Sequence, residues 1–171
     1  SVLVPGSTLR HDLSTGKSET YHETRTAFDA SPYEVRQVFY PSKDGTKIPM
    51  FLVHKKGLKL DGAAPAWLYG YGGFNVVMKP QFAVPPLVWI EGGGVFAVAN
   101  LRGGGEYGES WHQAGTKERK QNVYDDYIAA ADWLVAQGYT THQRIVLDGR
   151  SNGGLLLGAV LNQRPDMAGA A

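Results

Sequence analysis

Ser151 is the residue of this chain whose surroundings point most directly to covalent chemistry. It is the centre of the segment "GRSNG" (residues 149–153), which fits the pattern G-x-S-x-G. A serine in this pattern can attack an acyl carbon when a base removes its proton and N–H groups stabilise the resulting oxyanion. The alternative interpretation is a glycine-rich turn whose serine only caps a helix, because the five-residue pattern alone is common.

The flanking sequences favour the first interpretation. The run "RIVL" before the serine predicts a short buried strand, and "NGGLLLGAVLNQ" after it predicts a helix that ends near Pro165. A sharp strand-to-helix turn strains the serine backbone and brings the chain so close to itself that glycine is needed at the structural positions of the elbow, Gly149, Gly153 and Gly154. The turn also aims the backbone N–H of Asn152 at a forming oxyanion. We therefore predict a nucleophile elbow.

The elements that must position this elbow are read from the apolar runs after Pro65. The segments "APAWLYG" and "GVFAVANL" predict buried strands, and "NVYDDYIAAADWLVAQG" predicts a helix with Asn122 as its cap and Gly138 as its stop. The alternation of strands and helices is typical of an α/β fold with a mostly parallel sheet and flanking helices.

The first part of the chain predicts β-hairpins. Turn residues at Ser14–Lys17 and at Asp44-Gly45 separate β-prone runs into two hairpins, and we expect a domain boundary near Ala30, between the two. With 43% apolar and 19% charged residues and a net charge of +1, the 171 residues predict a soluble protein without nucleic-acid or membrane partners. The lack of cysteine and of a visible targeting segment favours the cytoplasm, with the periplasm left open.

The glycines of "GGGEYG" offer a competing interpretation. Gly103, Gly105 and Gly108 match G-x-G-x-x-G after a predicted strand, as in a dinucleotide site. However, the following residues are polar instead of an apolar helix, and Glu106 stands where a phosphate would be repelled. We expect instead that these glycines let the loop pass close beneath the serine turn.

Four segments together resemble the prolyl oligopeptidase family of serine peptidases. They are "WLYGYGGFN", "AVANLRGGGEYGESWH", "QNVYDDYIAAADWL" and "GRSNGGLLLGAVLNQRPD". The resemblance implies an α/β-hydrolase catalytic domain and a β-propeller. Residues 1–30 would be the end of the propeller, and residues 31–171 the N-terminal part of a truncated catalytic domain.

The resemblance also implies roles for individual residues. Ser151 would be the acylating nucleophile, while the Tyr71 hydroxyl and the Asn152 backbone N–H would donate to the oxyanion. A phenol suits this role because it donates without ionising at neutral pH. Phe74 would line the substrate cleft, although its sequence context alone favours a place in the core. No metal or cofactor is implied.

The catalytic base is the missing component. In α/β-hydrolases the chain order is serine, acid, histidine, but only Asp166 and no histidine follows Ser151. We expect His112 and His142 to be structural, Asp166 to be a turn residue, and the triad partners to lie in the remainder of the parent catalytic domain. The isolated segment is then expected to be inactive.

The same resemblance implies a class of substrate, but other specificities and another class of function remain open. The parent protein would hydrolyse short peptides after proline through an acyl-enzyme on Ser151. A relative that cuts after basic residues, of the oligopeptidase B type, or an esterase on the same fold remains open, as does a non-catalytic, truncated binding module. Arg102 is expected to be structural and to pair with Glu106 or Asp125.

Overall fold

Two β-sheets and four α-helices make up the fold. The computed structural model describes all 171 residues. A two-stranded sheet precedes a five-stranded one, whose strand order is β3-β4-β6-β5-β7. The strands are β1 (Ser7–Asp12), β2 (Lys17–Glu23), β3 (Tyr33–Pro41), β4 (Lys47–Lys55), β5 (Ala66–Gly70), β6 (Val95–Ala99) and β7 (Ile145–Asp148). The helices are α1 (Val84–Glu91), α2 (Glu109–Gln113), α3 (Gln121–Ala136) and α4 (Asn152–Gln163), with short 3-10 turns at Lys117–Arg119 and His142–Arg144.

Both predicted hairpins are confirmed. Strands β1 and β2 pair antiparallel and are exposed along their whole length. Strands β3 and β4 also pair antiparallel, and Gly45 adopts a φ of 82° in the turn between them, a conformation that glycine reaches without steric cost. The boundary predicted near residue 30 does not separate all contacts, because Val2 and Leu3 lie in a hydrophobic cluster on the larger sheet.

The larger sheet confirms the predicted α/β architecture. Strand β5 lies between β6 and β7 and is parallel to both, whereas β4 joins β6 antiparallel. The sheet is therefore mixed instead of mostly parallel, because the β3–β4 hairpin completes one side of it. Beyond β7, Ala170 forms a parallel bridge with Val146.

Helices cover the two faces of this sheet. Helices α3 and α4 contribute to a cluster of 22 buried residues on one face, and α1 contributes Leu87 and Ile90 to a smaller cluster on the other. Burial on both faces explains why every residue of β6 is buried and apolar. No helix is both long enough and apolar enough to cross a membrane.

One predicted detail of α3 is wrong. The helix starts at Gln121, and its first turn carries no side-chain cap. The amide of Asn122, which we expected to cap the helix, instead donates a hydrogen bond of 2.9 Å to the carbonyl oxygen of Ala114. Gly138 does follow the end of the helix, with a φ of 77°.

Candidate active site

The Ser151 backbone is strained, as the sequence predicts for a nucleophile elbow. Ser151 stands between the end of β7 and the start of α4 with φ 56° and ψ −115°. Residues other than glycine rarely adopt a positive φ, and holding one there costs about 1–3 kcal/mol. The surrounding structure therefore keeps an exposed serine at the sharp turn between a strand and a helix.

The glycines around Ser151 differ in how tightly they are packed. A Cβ on Gly149 would lie 2.5 Å from the carbonyl oxygen of Gly153, and one on Gly153 would lie 2.7 Å from that of Gly70. Both distances are below those of real contacts, so these positions require glycine. Gly154 was also expected to be structural, but its nearest neighbour would lie 3.9 Å away, and nothing in the packing requires glycine there.

The backbone N–H of Asn152 has no hydrogen-bond acceptor within the chain. It stands at the first position of α4, where an amide has no partner inside the helix. Asn152 is only 9% exposed, and its side-chain Nδ2 donates a hydrogen bond of 2.5 Å to the carbonyl oxygen of Tyr71. The amide side chain thus joins the elbow to the loop after β5, while the main-chain N–H remains available to an oxyanion.

Tyr71 lies next to the elbow because of the strand order. It follows the carboxyl end of β5, which pairs in parallel with β7 through Tyr69 and Asp148, so the two loops leave the sheet side by side. Gly73 then packs so closely on Asn152 that a Cβ there would lie 2.5 Å from the side-chain nitrogen. The Tyr71 side chain is half-buried, and its hydroxyl makes no hydrogen bond within the chain.

Phe74 is at the exposed tip of this loop. Its side chain is 75% exposed, so its sequence context, which favoured a core position, was misleading. Phe74 and Asn75 both have left-handed backbone conformations, with φ of 53° and 57°. A strained loop that presents an exposed aromatic ring at its tip can contact a ligand bound at the neighbouring elbow.

The glycine-rich loop packs against the Tyr71 loop and not beneath the serine turn. The amide of Asn75 donates to the carbonyl of Gly103, and the amide of Gly105 donates to that of Val76. A Cβ on Gly103 would lie 2.8 Å from the carbonyl oxygen of Gly72. Our expectation was wrong because β5 lies between β6 and β7, so the loop after β6 meets the loop after β5 first.

Arg102 is structural, but neither partner predicted for it is correct. Its Nη2 lies 2.6 Å from Asp126, and its Nη1 lies 2.5 Å from Asp44. The side chains of Arg102 and Asp126 are 5% and 0% exposed, and Ser42 also donates to the Asp126 carboxylate. Hydrogen bonds from Arg102 lower the pKa of Asp44 to about 2. This network ties the start of the glycine-rich loop to α3 and to the β3–β4 turn.

Glu106, the other expected partner of Arg102, holds the Tyr71 loop instead. Its Oε1 accepts hydrogen bonds from the backbone N–H of Met78 and from the side chain of Asn100. Asn100 in turn donates to the carbonyl oxygen of Met78. The carboxylate therefore fixes the far end of the loop that carries Tyr71 and Phe74.

No histidine of these 171 residues contacts Ser151. The Nδ1 of His112 bonds the carbonyl oxygen of Gly103 at 2.7 Å, which fixes the glycine-rich loop. His142 lies between the carbonyl oxygen of Met167 and the carboxylate of Asp132. Asp166 pairs with Arg164 at a helix end. All three have structural contacts, and the Ser151 hydroxyl has no base beside it.

Lys120 is the residue at this site that sequence reasoning missed. Its Nζ donates hydrogen bonds to the carbonyl oxygen of Gly72 at 2.9 Å and to the side-chain oxygen of Asn152 at 3.4 Å. In the sequence it belongs to the charged run "KERK", which looks like a solvated surface. No local pattern distinguishes it from its neighbours, because both contacts are to residues more than 30 positions away.

Comparisons with known proteins find similar sequences and similar structures. A model of the prolyl oligopeptidase family matches residues 80–171, more than half of the chain. The prolyl endopeptidase of Elizabethkingia meningoseptica is 50% identical over 169 residues, which cover 99% of this chain and 24% of that protein. A solved prolyl endopeptidase structure superposes with a TM-score of 0.95 at 54% identity, over 99% of this chain and 25% of that one.

A related peptidase of another name is also similar. Oligopeptidase B from Trypanosoma brucei, solved with covalently bound antipain, superposes with a TM-score of 0.93 at 36% identity, over 100% of this chain and 24% of that one. The chain thus spans about a quarter of the length of the relatives that it matches.

Proposed function

The chain belongs to the prolyl oligopeptidase family, and from that premise we propose that it supplies the nucleophile and oxyanion site of a serine peptidase that cleaves short peptides after proline. The observation that carries the proposal is the strained Ser151 backbone directly before the unpaired N–H of Asn152. This arrangement serves acyl transfer, because the hydroxyl can attack a carbonyl carbon while the N–H receives the charge that develops on its oxygen.

The reaction begins with attack of the Ser151 hydroxyl on the scissile carbonyl. The hydroxyl proton passes to a histidine, the Oγ–C bond forms, and the carbonyl oxygen becomes an oxyanion between the Asn152 N–H and the Tyr71 hydroxyl. Collapse of this intermediate releases the amine with the proton from the histidine, and water then hydrolyses the acyl-enzyme. The histidine and its orienting aspartate come from outside these 171 residues, since His112 and His142 have structural partners.

Proline is the favoured specificity for the residue before the scissile bond. The higher identity to prolyl endopeptidases, 50% and 54%, against 36% for the oligopeptidase B of Trypanosoma brucei, supports it. Phe74, with its exposed ring at the tip of the Tyr71 loop, is the aromatic side chain that would contact the substrate. Cleavage after basic residues is the second candidate, because the oligopeptidase B structure superposes with a TM-score of 0.93.

Hydrolysis by the complete protein tests both specificities. Peptide 4-nitroanilides that end in proline or in arginine should differ by at least about 100-fold in kcat/KM in favour of proline, a ratio that a shaped binding pocket can reach. Ser151→Ala should abolish both activities and covalent labelling by a fluorophosphonate. A preference for arginine would support the second candidate, and labelling that persists in Ser151→Ala would refute the nucleophile.

The 171-residue chain alone should react poorly. Without a base, the Ser151 hydroxyl keeps its proton and is a weak nucleophile, although an oxyanion site leaves some residual reactivity. Incubation with the same fluorophosphonate, followed by mass spectrometry, should find Ser151 unmodified under conditions that label the complete protein. Rapid labelling of the chain would mean that a base within these residues reaches Ser151.

A further inference from the structure

The Lys120 ammonium lies between the two loops of the candidate oxyanion site. Lys120 directly precedes α3, and its Nζ bonds the carbonyl oxygen of Gly72 on one side and the side-chain oxygen of Asn152 on the other. No carboxylate oxygen lies within 4.0 Å of it. Neutral oxygens from the Tyr71 loop and the elbow are thus its hydrogen-bond partners in the chain.

This placement is costly for a lysine. Lysine is rarely buried without an acidic partner, because removing an ammonium from water is unfavourable. Here burial lowers the pKa of Lys120. Lys117, three residues earlier, is exposed, so the two lysines of this segment differ in their burial. A half-buried ammonium without a carboxylate partner suggests that Lys120 serves the two segments to which it donates hydrogen bonds.

The contacts of Lys120 complete a closed set of hydrogen bonds. The Nδ2 of Asn152 donates to the carbonyl oxygen of Tyr71, the Nζ of Lys120 donates to the next carbonyl oxygen along the chain, that of Gly72, and Lys120 and Asn152 are bonded to each other. Asn152 therefore holds the first of two consecutive carbonyls directly, and Lys120, which also donates to Asn152, holds the second. The same two segments carry the Tyr71 hydroxyl and the Asn152 backbone N–H.

We propose that Lys120 is a positioning residue that fixes the Tyr71–Gly72 segment against Asn152, so that the two oxyanion donors converge on one oxygen. This inference rests on the proposed function. Lys120 acts through the donors and does not contact the substrate itself. Because the donors bind the charge that develops in the transition state, loss of their alignment lowers kcat and leaves KM nearly unchanged.

The experiment compares three variants of the complete protein. Lys120→Met removes the ammonium and keeps the unbranched side chain as far as Cε, Lys120→Arg keeps a cation with N–H donors, and Lys117→Met removes an exposed lysine of the same segment as a control. Two quantities are measured for each: kcat and KM for a peptide 4-nitroanilide, and the rate of Ser151 phosphonylation by a fluorophosphonate. In the second reaction the Oγ–P bond forms, fluoride leaves, the proton passes to the base, and no peptide specificity is involved.

We expect Lys120→Met to lower kcat and the phosphonylation rate by about 10- to 100-fold, since misplacing catalytic groups by about 1 Å costs up to about 100-fold. Lys120→Arg should recover part of that loss, and Lys117→Met should leave both rates within about twofold, as expected for an exposed surface position. A folded Lys120→Met protein with unchanged rates, or with a raised KM at unchanged kcat, overturns the proposal.

Two further outcomes are informative. If Lys120→Met does not fold, as judged by circular dichroism, Lys120→Gln retains a neutral donor on a side chain one atom shorter, and the same criteria apply to its rates. If Ser151 of the unsubstituted protein is not phosphonylated, the proposed function fails and the positioning role fails with it. Labelling of the unsubstituted protein together with equal labelling of the Lys120 variants overturns the positioning role alone.

Discussion

The side-chain amide of Asn152 donates a hydrogen bond of 2.5 Å to the main-chain carbonyl of Tyr71. The bond joins the loops that leave two neighbouring parallel strands, β5 and β7, and it is partly buried. Asn152 therefore contributes in two ways. Its main-chain N–H is available to an oxyanion, and its side chain holds the loop that presents the second proposed donor.

Replacing Tyr71 by phenylalanine should impair catalysis without affecting folding. The Tyr71 hydroxyl has no hydrogen-bond partner in the chain, so its loss removes no stabilising contact. If it donates to the oxyanion, kcat of the complete protein should fall by about 100- to 1,000-fold, the usual cost of one such donor, at nearly constant KM. Tyr69→Phe, two residues earlier, is the matched control. Equal kcat values for the two variants would exclude Tyr71 as a donor.

The strain at Ser151 should be measurable as stability. With φ 56° and ψ −115°, this position suits glycine better than any other residue. Both Ser151→Gly and Ser151→Ala remove the nucleophile, but only glycine relieves the strain. After allowing for the greater flexibility of glycine in the unfolded chain, we expect Ser151→Gly to exceed Ser151→Ala by about 1 kcal/mol in free energy of unfolding. Guanidinium titration of both variants tests this. Equal midpoints would mean that the turn carries no strain.

Alanine at the three glycines of the elbow should have unequal effects. At Gly149 and Gly153 the new Cβ would collide with main-chain atoms at 2.5 Å and 2.7 Å, so both variants should destabilise the elbow and slow fluorophosphonate labelling of the complete protein. Gly154→Ala meets nothing closer than 3.9 Å and should stabilise α4 by about 0.5–1 kcal/mol. Thermal unfolding and labelling rates rank the three alanine variants. Similar losses at all three positions would contradict it.

Loss of the buried Arg102 should cost far more than loss of the half-buried Arg164. Arg102→Met leaves Asp126 buried without its charged partner, and we expect a loss of about 3–5 kcal/mol in free energy of unfolding. Arg164 also bonds two carboxylates, but these are 45% and 67% exposed, so Arg164→Met should cost only about 0–1 kcal/mol. Denaturant titrations of both variants measure the two losses in free energy of unfolding. A small effect at Arg102 would show that water replaces its contacts.

The Arg102 network should also make the stability of the protein depend on pH in the acid range. Hydrogen bonds from Arg102 hold the pKa of Asp44 at about 2, below the ordinary value of 3.8. A lowered folded-state pKa means that the ionised carboxylate contributes stability above pH 4, and that this contribution is lost as the pH falls from about 4 to about 2. Asp44→Asn removes this titration. Unfolding midpoints measured from pH 6 to pH 2 should therefore fall less steeply in the variant over that window, and parallel curves would contradict the linkage.

Features that depend on neighbouring residues could be predicted from the sequence. The elbow is one, because the strand, the serine, the helix and the crowded glycines lie within about 20 consecutive residues and their sterics are local. The hairpin turn at Gly45 and the end of α3 at Gly138 are others. Helix α1 escaped prediction because its first turn contains two prolines and it is apolar around most of its surface, so it lacks the usual one-sided pattern.

Partners far apart in the sequence could not be predicted in the same way. Glu106 and Asp125 are both closer to Arg102 in the sequence than Asp126 is, but the helix turns only one of the two adjacent aspartates into the core, where the guanidinium lies. Likewise, the glycine-rich loop meets the Tyr71 loop because β5 lies between β6 and β7. Strand order results from packing the whole chain, and no short segment contains it.

The sequence by itself therefore determined the candidate nucleophile, the turn that holds it and the family resemblance, since each of these depends on short runs of adjacent residues. Only the tertiary structure decided which groups surround that nucleophile: the Asn152 amide on the Tyr71 carbonyl, the Lys120 ammonium between two loops, and the Arg102–Asp126 pair behind them. The reason is physical. A backbone turn is fixed by steric contacts between neighbours, whereas the contacts of a long polar side chain are fixed by the sheet and helices that bring distant segments together.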